Sequence, residues 1–398
     1  MRIRNALVFT EDQTFVKRDV FTAGGGILTE EDWETLRRKA GIDCGSGHVS
    51  DAADDNFSAG RAGTSAGDFG ELDAEGMLLL PGLVDIHSHG AVGRDFSDGD
   101  IKGLKEILAY EYAHGVTSYC PTSMTLPLEE LEKIFQTAHE AGEDEEQARI
   151  VGINMEGPFL DAPKKGAHVE AYIRRPQGEF FEDCQKAAKG LIKLVTLAPN
   201  VEGAREFIRE YQDKVAISLG HTAADYDCAR EAMEAGAHHV THLYNAMQPL
   251  SHREPGMIGA AIDDKECVVE LISDGIHIHP CVVRATFQLF PGRVALISDS
   301  MMATGMENGT YQLGGQEVTV KDGKATLTNG TIAGSATNLY DCMRRAISFG
   351  VPEGEAILAA TAVPAKSIGV FDRVGSIEPG KEADLLLVTD DLELKQVL

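Results

Sequence analysis

The sequence predicts an α/β protein, a (β/α)8 barrel of the TIM type with a small β-sandwich domain built from both chain ends. Between residues 80 and 370, short apolar runs alternate with longer amphipathic stretches, and eight such βα units are what this barrel requires. Strand-like alternation also occupies the first twenty residues and returns near the C-terminus. Residues 1–79 and 371–398 are therefore expected to share the small domain. A doubly wound parallel sheet is the main alternative, but it rarely needs eight consecutive units.

The apolar runs and turn signals locate the individual elements. The helical stretches between the runs include residues 128–141 and 223–235. Residues 311–320 and 324–327 flank Asp322-Gly323, which predicts a hairpin. Residues 28–69 are rich in Gly, Ser, Ala and Asp, which predicts an exposed insertion with a short helix over residues 30–39. The predicted barrel strands are 83–87, 117–120, 150–155, 194–197, 216–219, 237–240, 268–272 and 294–297.

Composition narrows the class of protein. The 398 residues are 43% hydrophobic and 25% charged, as in a globular protein with a large core. The net charge of −27 disfavours nucleic acid and anionic membranes as partners, so an anionic substrate would need a local basic patch. No apolar run has the length of a signal peptide or a membrane span. Seven cysteines without a CxxC pair predict reduced thiols and a cytoplasmic location.

Two histidines follow the first barrel strand. His87 and His89 are separated by one residue, so on a strand both side chains point to the same face. Four further candidate ligands follow later strands, and the carboxyl ends of barrel strands form the active-site face. Each residue alone could be structural, but all of them at strand ends predict one or two divalent ions, Zn²⁺ or Fe²⁺. The four further candidates are Glu156, His221, His242 and Asp299.

A metal ion at this face would lower the pKa of a bound water to about 7. A neighbouring carboxylate can take the proton of that water and pass it to a leaving amine. Asp299 is the candidate acid/base because it stands alone after the last strand. The alternative is a structural carboxylate that only orients a ligand.

Several motifs support a resemblance to a known family. The segment PGLVDIHSHG and the final-strand Asp resemble the amidohydrolase superfamily, and MEGPF, KKGAH, GHT, THLYNAM, REPG, SDGIH and SDSMMATG are similar to the N-acetylglucosamine-6-phosphate deacetylases within it. The resemblance implies hydrolysis of the acetamide of N-acetylglucosamine 6-phosphate, giving glucosamine 6-phosphate and acetate. It runs from about residue 78 to the C-terminus.

The resemblance also assigns roles to residues. Glu156, His221 and His242 would hold the metal common to the family, Asp299 would be the acid/base, and His168 would polarise the acetyl carbonyl or hold a sugar hydroxyl. Some members lack the first histidine pair and use one metal, so His87 and His89 make a second ion possible. The arginine that matches Arg253 often reaches across from a neighbouring subunit, which implies a homodimer. The groups expected to face the sugar phosphate are Asn245, the backbone of Ala246, Arg253 and His277.

Basic residues in the sequence also indicate an anionic substrate. Lys164, Lys165, His252 and Arg253 are concentrated near strand ends in an otherwise acidic chain, and Arg suits a phosphate. The two lysines could equally belong to a solvated loop. Ile332 could form the floor of an acetyl-methyl pocket, with ordinary core packing as the alternative.

Other readings of the chain remain open. Many cyclic-amide hydrolases bridge two metals with a carboxylated lysine at the end of strand four, but residues 196–200 contain no lysine. A deacetylase for the galactosamine 6-phosphate epimer is harder to exclude. The two sugars differ in the orientation of one hydroxyl group, and sequence motifs do not show which orientation the pocket accepts. A non-catalytic barrel scaffold would typically lose a ligand or the final Asp, and this chain retains them.

Overall fold

The computed structural model describes residues 1–40, 69–144 and 146–398. The insertion predicted over residues 28–69 therefore lies largely outside the described residues, at 41–68. The described residues form two compact units, one of residues 1–82 and 370–398 and one of residues 83–369.

Twenty-one strands and eleven α-helices are present in the described residues. The strands are β1 (Arg2–Phe9), β2 (Phe15–Ala23), β3 (Gly26–Leu28), β4 (Glu71–Asp73), β5 (Leu78–Pro81), β6 (Leu83–Ser88), β7 (Gly90–Ala91), β8 (Arg94–Asp95), β9 (Val116–Ser123), β10 (Arg149–Ile150), β11 (Ile153–Glu156), β12 (Ile192–Leu197), β13 (Ala216–Leu219), β14 (His239–Val240), β15 (Val268–Ile272), β16 (Val294–Ile297), β17 (Gly309–Leu313), β18 (Gln316–Lys321), β19 (Lys324–Leu327), β20 (Leu385–Val388) and β21 (Leu394–Val397). The helices are α1 (Glu30–Lys39), α2 (Ile101–Ala113), α3 (Leu128–Glu140), α4 (Gly178–Ala187), α5 (Ala204–Tyr211), α6 (Tyr226–Glu234), α7 (Gly256–Asp263), α8 (Pro280–Leu289), α9 (Leu339–Ser348), α10 (Glu353–Ala359) and α11 (Ala362–Ser367).

The larger unit is a nearly closed barrel of eight parallel strands, which confirms the predicted fold class. The strands are β6, β9, β11, β12, β13, β14, β15 and β16, each followed by at least one helix. Every residue of β6 and β9 is buried, as expected for parallel strands covered on both faces. Backbone hydrogen bonds join the carboxyl ends of the last and first strands, from Asp299 N–H, just after β16, to His87 O (2.9 Å) and from His89 N–H, just after β6, to Ser300 O (2.8 Å).

Local sequence explains the outer helices of the barrel. In α3 the buried residues Leu131, Ile134, Phe135 and Ala138 recur at helical spacing, which gives the helix one apolar face. The N-termini of α2, α6 and α9 begin after Asp or Asn side chains that accept hydrogen bonds from the first turn. Such caps satisfy backbone N–H groups that have no partner inside the helix.

The late hairpin differs from the prediction. Residues 311–320 were expected to form one strand, but Gly314 and Gly315 form a turn with positive φ that separates β17 from β18. Glycine adopts this conformation at little steric cost. The predicted turn at Asp322-Gly323 is present, and it joins β18 to β19. The result is a three-stranded antiparallel sheet between β16 and α9.

The smaller unit combines both chain ends, as predicted. Its described strands form one hydrogen-bonded sheet rather than two, in the order β21-β20-β5-β1-β2-β3, with β4 paired to β1. Ile3, Val8, Leu79 and Leu387 form part of its core. The predicted short helix is confirmed as α1, whose buried Trp33 packs against the rings of Phe21 and Phe69.

Replacing Leu79 with Ala is expected to destabilise the small unit. Leu79 is fully buried, so the change removes apolar contacts and leaves a cavity that costs about 2–5 kcal/mol in the free energy of unfolding. The measurement is urea denaturation followed by circular dichroism. Val16→Ala is the control, because Val16 is 45% exposed and its truncation should change stability by only about 0.5 kcal/mol. Equal effects of the two substitutions would contradict this description of the core.

Candidate active site

A cavity of about 550 Å³ lies within the barrel unit, at the carboxyl ends of the strands. Its wall includes six of the seven residues predicted for metal binding and catalysis, and the seventh, His87, lies fully buried close to them. The structure therefore brings all six strand-end candidates together, and His168 with them. The lining members of the set are His89, Glu156, His168, His221, His242 and Asp299.

Glu156 lies at the centre of this cluster. Its Oε1 is 3.0 Å from His221 Nε2, 3.1 Å from His242 Nε2 and 3.5 Å from His87 Nε2. Its Oε2 is 3.3 Å from His89 Nε2 and from His168 Nε2. Two groups of possible ligand atoms share this carboxylate, each with its atoms within 4.8 Å of one another. One group is His87, His89 and Glu156, and the other is Glu156, His221 and His242.

The second nitrogens of three of these rings are held by acceptors. His221 Nδ1 donates to Lys164 O (2.9 Å), and His89 Nδ1 donates to Thr122 O (3.1 Å). His87 Nδ1 is 2.8 Å from Glu270 Oε2. Because a carbonyl oxygen only accepts, Nδ1 carries the hydrogen in the first two rings. The Nε2 atoms are then left to face Glu156, which is the arrangement that metal-ligating histidines adopt.

The donor set fits a divalent ion. Imidazole nitrogens with a carboxylate suit Zn²⁺ or Fe²⁺, and His87 Nε2 is a buried atom without a hydrogen-bond partner in the described part of the chain. Burial lowers the pKa of His87, but Glu270 and Glu156 raise it well above its ordinary value. The cluster therefore favours positive charge at this ring, and a proton or a metal ion can supply it.

Three residues of the cluster have an unusual backbone conformation. His221, His242 and Asp299 follow β13, β14 and β16 with φ values of 47°, 28° and 47°. Positive φ in a non-glycine residue costs about 1–3 kcal/mol and is concentrated at functional sites. The left-handed conformation turns the chain sharply at the strand end, where each of these side chains reaches the cluster.

Asp299 lies beside the first histidine pair. Its Oδ1 is 3.4 Å from His89 Nε2 and 3.6 Å from His87 Nε2. Burial raises the pKa of Asp299, but the hydrogen bond with His89 and the charge of His87 lower it below its ordinary value overall. Asp299 is thus a carboxylate near neutral pH, which is the form that accepts a proton.

His168 differs from the other imidazoles in its hydrogen bonding. Its Nδ1 accepts from the Thr125 backbone N–H (3.2 Å), so in the neutral ring the hydrogen is on Nε2. Burial lowers the pKa of His168 to about 4. Near neutral pH this ring is a hydrogen-bond donor directed at the cluster, and it is not a base.

The predicted substrate-binding residues divide into two sets. Asn245, Ala246, His277 and Ile332 line the cavity, whereas Arg253 is exposed and is absent from its lining. His277 is oriented by Asp274, whose Oδ2 lies 2.8 Å from His277 Nδ1. Ile332 lies in the wall together with apolar residues, and Lys164 and Lys165 also line the cavity. The apolar residues of the wall include Met124, Ala167, Leu313 and Ala333.

Sequence reasoning missed Glu270. This residue is fully buried on β15 and contacts His87 and the backbone of His242. The available signal was a charged residue in the middle of the apolar run VVELI, because a buried acid needs a compensating partner.

An eight-stranded barrel with histidines and carboxylates at its strand ends is the architecture of metal-dependent hydrolases. The chain belongs to the amidohydrolase family, whose sequence profile matches residues 78–398, and the predicted resemblance is confirmed. The family is one of hydrolases that use divalent metal ions.

Individual relatives of the chain are named for particular activities within this family. The chain is 41% identical to N-acetylglucosamine-6-phosphate deacetylase of Bacillus subtilis (strain 168), over 80% of this chain and 82% of that protein. It is 36% identical to N-acetylgalactosamine-6-phosphate deacetylase of Escherichia coli O157:H7, over 82% of this chain and 87% of that protein. The crystal structure of N-acetylglucosamine-6-phosphate deacetylase from Pasteurella multocida superimposes with a TM-score of 0.84 at 29% identity, covering 100% of this chain and 97% of that one.

The ionisation of His168 yields a pH prediction. Because its pKa is lowered to about 4, the ring should remain neutral, with hydrogen on Nε2, from about pH 6 to 8. Its contribution to stability is present above the ordinary histidine pKa and is lost as pH falls toward 4. NMR of ¹⁵N-histidine-labelled protein reports both tautomer and titration, with His168→Gln identifying the resonance. A ring that titrates near pH 6.5, or that carries hydrogen on Nδ1, would contradict the prediction.

Proposed function

We propose that this chain hydrolyses the acetamide of N-acetylglucosamine 6-phosphate to glucosamine 6-phosphate and acetate, within residues 80–370. The observation that carries the proposal is the cavity itself, in which the Glu156-centred cluster, a neighbouring carboxylate and a hydrogen-bond donor meet. The sequence relatives and structural neighbours named for this activity support it. Metal-assisted amide hydrolysis can use all three kinds of group, to activate water, to transfer its proton and to stabilise the carbonyl oxygen.

The ligand groups define where ions would be held. Glu156, His221 and His242 would hold one ion, and His87 and His89 with the shared Glu156 would hold a second. Zn²⁺ and Fe²⁺ suit this mixture of imidazole and carboxylate donors. When bound, such an ion supplies Lewis acidity, which lowers the pKa of water toward about 7 and polarises a carbonyl.

Asp299 and His168 perform the proton and hydrogen-bond chemistry. The Asp299 carboxylate takes a proton from the attacking water and returns it to the amine nitrogen as the carbon–nitrogen bond breaks. Water thereby supplies the new oxygen of acetate and the hydrogen gained by the amine. His168 donates from Nε2 to the acetyl carbonyl oxygen, where negative charge develops.

The two ends of the substrate fit different parts of the cavity wall. Ile332, Met124 and Leu313 provide an apolar surface for the acetyl methyl group. Lys164, Lys165, His277 and the loop at Asn245-Ala246 provide polar and cationic groups for the sugar phosphate. Asn245 Nδ2 donates to His242 O (3.2 Å), so this residue also holds the loop that follows a proposed ligand.

Arg253 supports a homodimer. It is exposed and outside the cavity of its own chain, so we assign it to the phosphate site of a second copy. A guanidinium matches phosphate geometry and would supply local positive charge in a chain whose net charge is −27. The described helices include none that is long and apolar enough to cross a bilayer. We propose a cytoplasmic location because the six described cysteines are free thiols.

The first test is acetate release from N-acetylglucosamine 6-phosphate, with metal content measured on the same sample. The unphosphorylated sugar tests the phosphate site, and N-acetylgalactosamine 6-phosphate tests the second candidate, which the Escherichia coli relative favours. Fast release from the gluco phosphate alone is the expected result. Preference for the galacto epimer would transfer the assignment to that substrate, and no release from metal-loaded protein would refute the proposal.

Asp299→Asn is expected to remove turnover while metal stays bound, because the amide cannot accept the proton from water. A loss of at least about 100-fold in kcat follows from the usual contribution of general acid–base catalysis. Steady-state kinetics and elemental analysis measure the two properties. Substantial activity in this variant would end the assignment of Asp299 as acid/base.

Arg253→Ala is expected to raise KM for the phosphorylated sugar with little change in kcat, since the guanidinium would contribute uniform binding. Mixing Arg253→Ala with Asp299→Asn subunits provides a sharper measurement. If Arg253 acts across the interface, mixed dimers contain one site with both native residues, and part of the activity returns with native KM. No recovery in demonstrated mixed dimers would place Arg253 at its own subunit's site, and an unchanged KM in Arg253→Ala alone would place it outside the site.

A further inference from the structure

Glu270 is a charged residue in the interior of the barrel. Its side chain has no exposed surface, and its neighbours on β15 are apolar and buried as well. Removing a carboxylate from water costs several kcal/mol unless hydrogen bonds and positive charge replace the lost hydration. An acid is therefore retained at this position only with specific partners, and its contacts show which ones.

A single oxygen of Glu270 contacts both halves of the ligand cluster. Oε2 lies 2.8 Å from His87 Nδ1 and accepts the His242 backbone N–H at 3.0 Å. His87 belongs to one group of candidate ligands and His242 to the other. The two groups share Glu156 directly, and Glu270 provides a second connection between them.

The contact to His242 falls at a strained position. His242 has a φ of 28°. Glu270 makes two hydrogen bonds to this turn: its side chain accepts the His242 N–H, and its backbone carbonyl accepts the Leu243 N–H at 2.9 Å. A left-handed residue keeps this conformation only where its surroundings enforce it. Loss of the side-chain contact would free the turn that aims His242 at Glu156.

We propose that Glu270 is a positioning residue that fixes His87 and His242 relative to each other through one shared acceptor oxygen, and so couples the two groups of metal ligands. The inference rests on the ligand assignment in the proposed function. It adds that neither group reaches full affinity unless this acceptor is present. Groups that orient metal-ligating histidines typically change affinity by 10- to 100-fold.

The two carboxylate oxygens of Glu270 have different surroundings, so hydrogen bonding through Oε2 can be tested separately from the negative charge. Oε1 has no hydrogen-bond partner among the described residues, and it lies 3.9 Å from His239 Nδ1. In Glu270→Gln, the amide oxygen can take the place of Oε2 and keep both hydrogen bonds, while the negative charge is lost. Glu270→Ala removes the acceptor and the charge together.

The experiment is a chelator-competition titration of Zn²⁺ with full-length protein, with metal stoichiometry measured in parallel. Glu270→Ala should lower affinity by about 10- to 100-fold, and Glu270→Gln should stay within a few-fold of the unsubstituted protein. Glu111→Gln is the control, because Glu111 is also fully buried but its carboxylate oxygens have no hydrogen-bond partner among the described residues. It should leave affinity unchanged. Equal affinity in Glu270→Ala and the unsubstituted protein would overturn the proposal.

Two further measurements test the coupling. If Glu270→Ala does not fold, Glu270→Gln still tests the proposal. A folded Gln variant with 10- to 100-fold weaker metal binding would refute positioning by hydrogen bonds. In a His87→Ala background, Glu270→Ala should still lower the affinity for the ion held by Glu156, His221 and His242. Unchanged affinity there would show that Glu270 serves His87 alone. None of these measurements uses the substrate, so a wrong substrate assignment would leave the result interpretable.

Discussion

The carboxylate of Glu156 is almost completely removed from water, with five imidazole nitrogens within 3.5 Å of its oxygens. A buried carboxylate is costly unless positive charge lies beside it, so the surrounding groups must be held close and correctly oriented. The remaining features of the site meet this requirement. Carbonyl and carboxylate acceptors fix the Nδ1 atoms of three rings, and left-handed turns bring His221 and His242 to the cluster.

The barrel and the cluster could be predicted from the sequence for a common physical reason. Strands buried on both faces appear as continuous apolar runs, and the polar residues that follow them must meet at one end of a parallel barrel. This rule predicts from the sequence alone that Glu156, His221, His242 and Asp299 lie together. Hydrophobic patterning does not report backbone strain, however, so the positive φ values at three of these positions were not anticipated.

Other features depend on contacts that a sequence does not display. Glu270 lies in the middle of a strand, whereas the other members of the site follow strand ends, so only the folded structure shows its contacts with His87 and His242. Arg253 lies outside the cavity of its own chain, and a sequence does not show which basic residues of a loop reach a cavity and which do not. The turn at Gly314-Gly315 interrupts a segment with β-forming residues at both ends, Thr310 and Tyr311 before the turn and residues 318–320 after it, so composition over the whole segment favours one strand.

Closure of the barrel and formation of the site use the same residues. Two backbone hydrogen bonds join the carboxyl ends of the last and first strands. One is donated by Asp299 to His87, and the other is donated by His89 to Ser300. Three of these four residues are the proposed acid/base and two proposed metal ligands. A chain in which β6 and β16 have not met cannot place Asp299 beside the first histidine pair. Ions that bind across this seam would therefore stabilise the closed barrel itself, because ligand binding to the native state shifts the folding equilibrium by mass action.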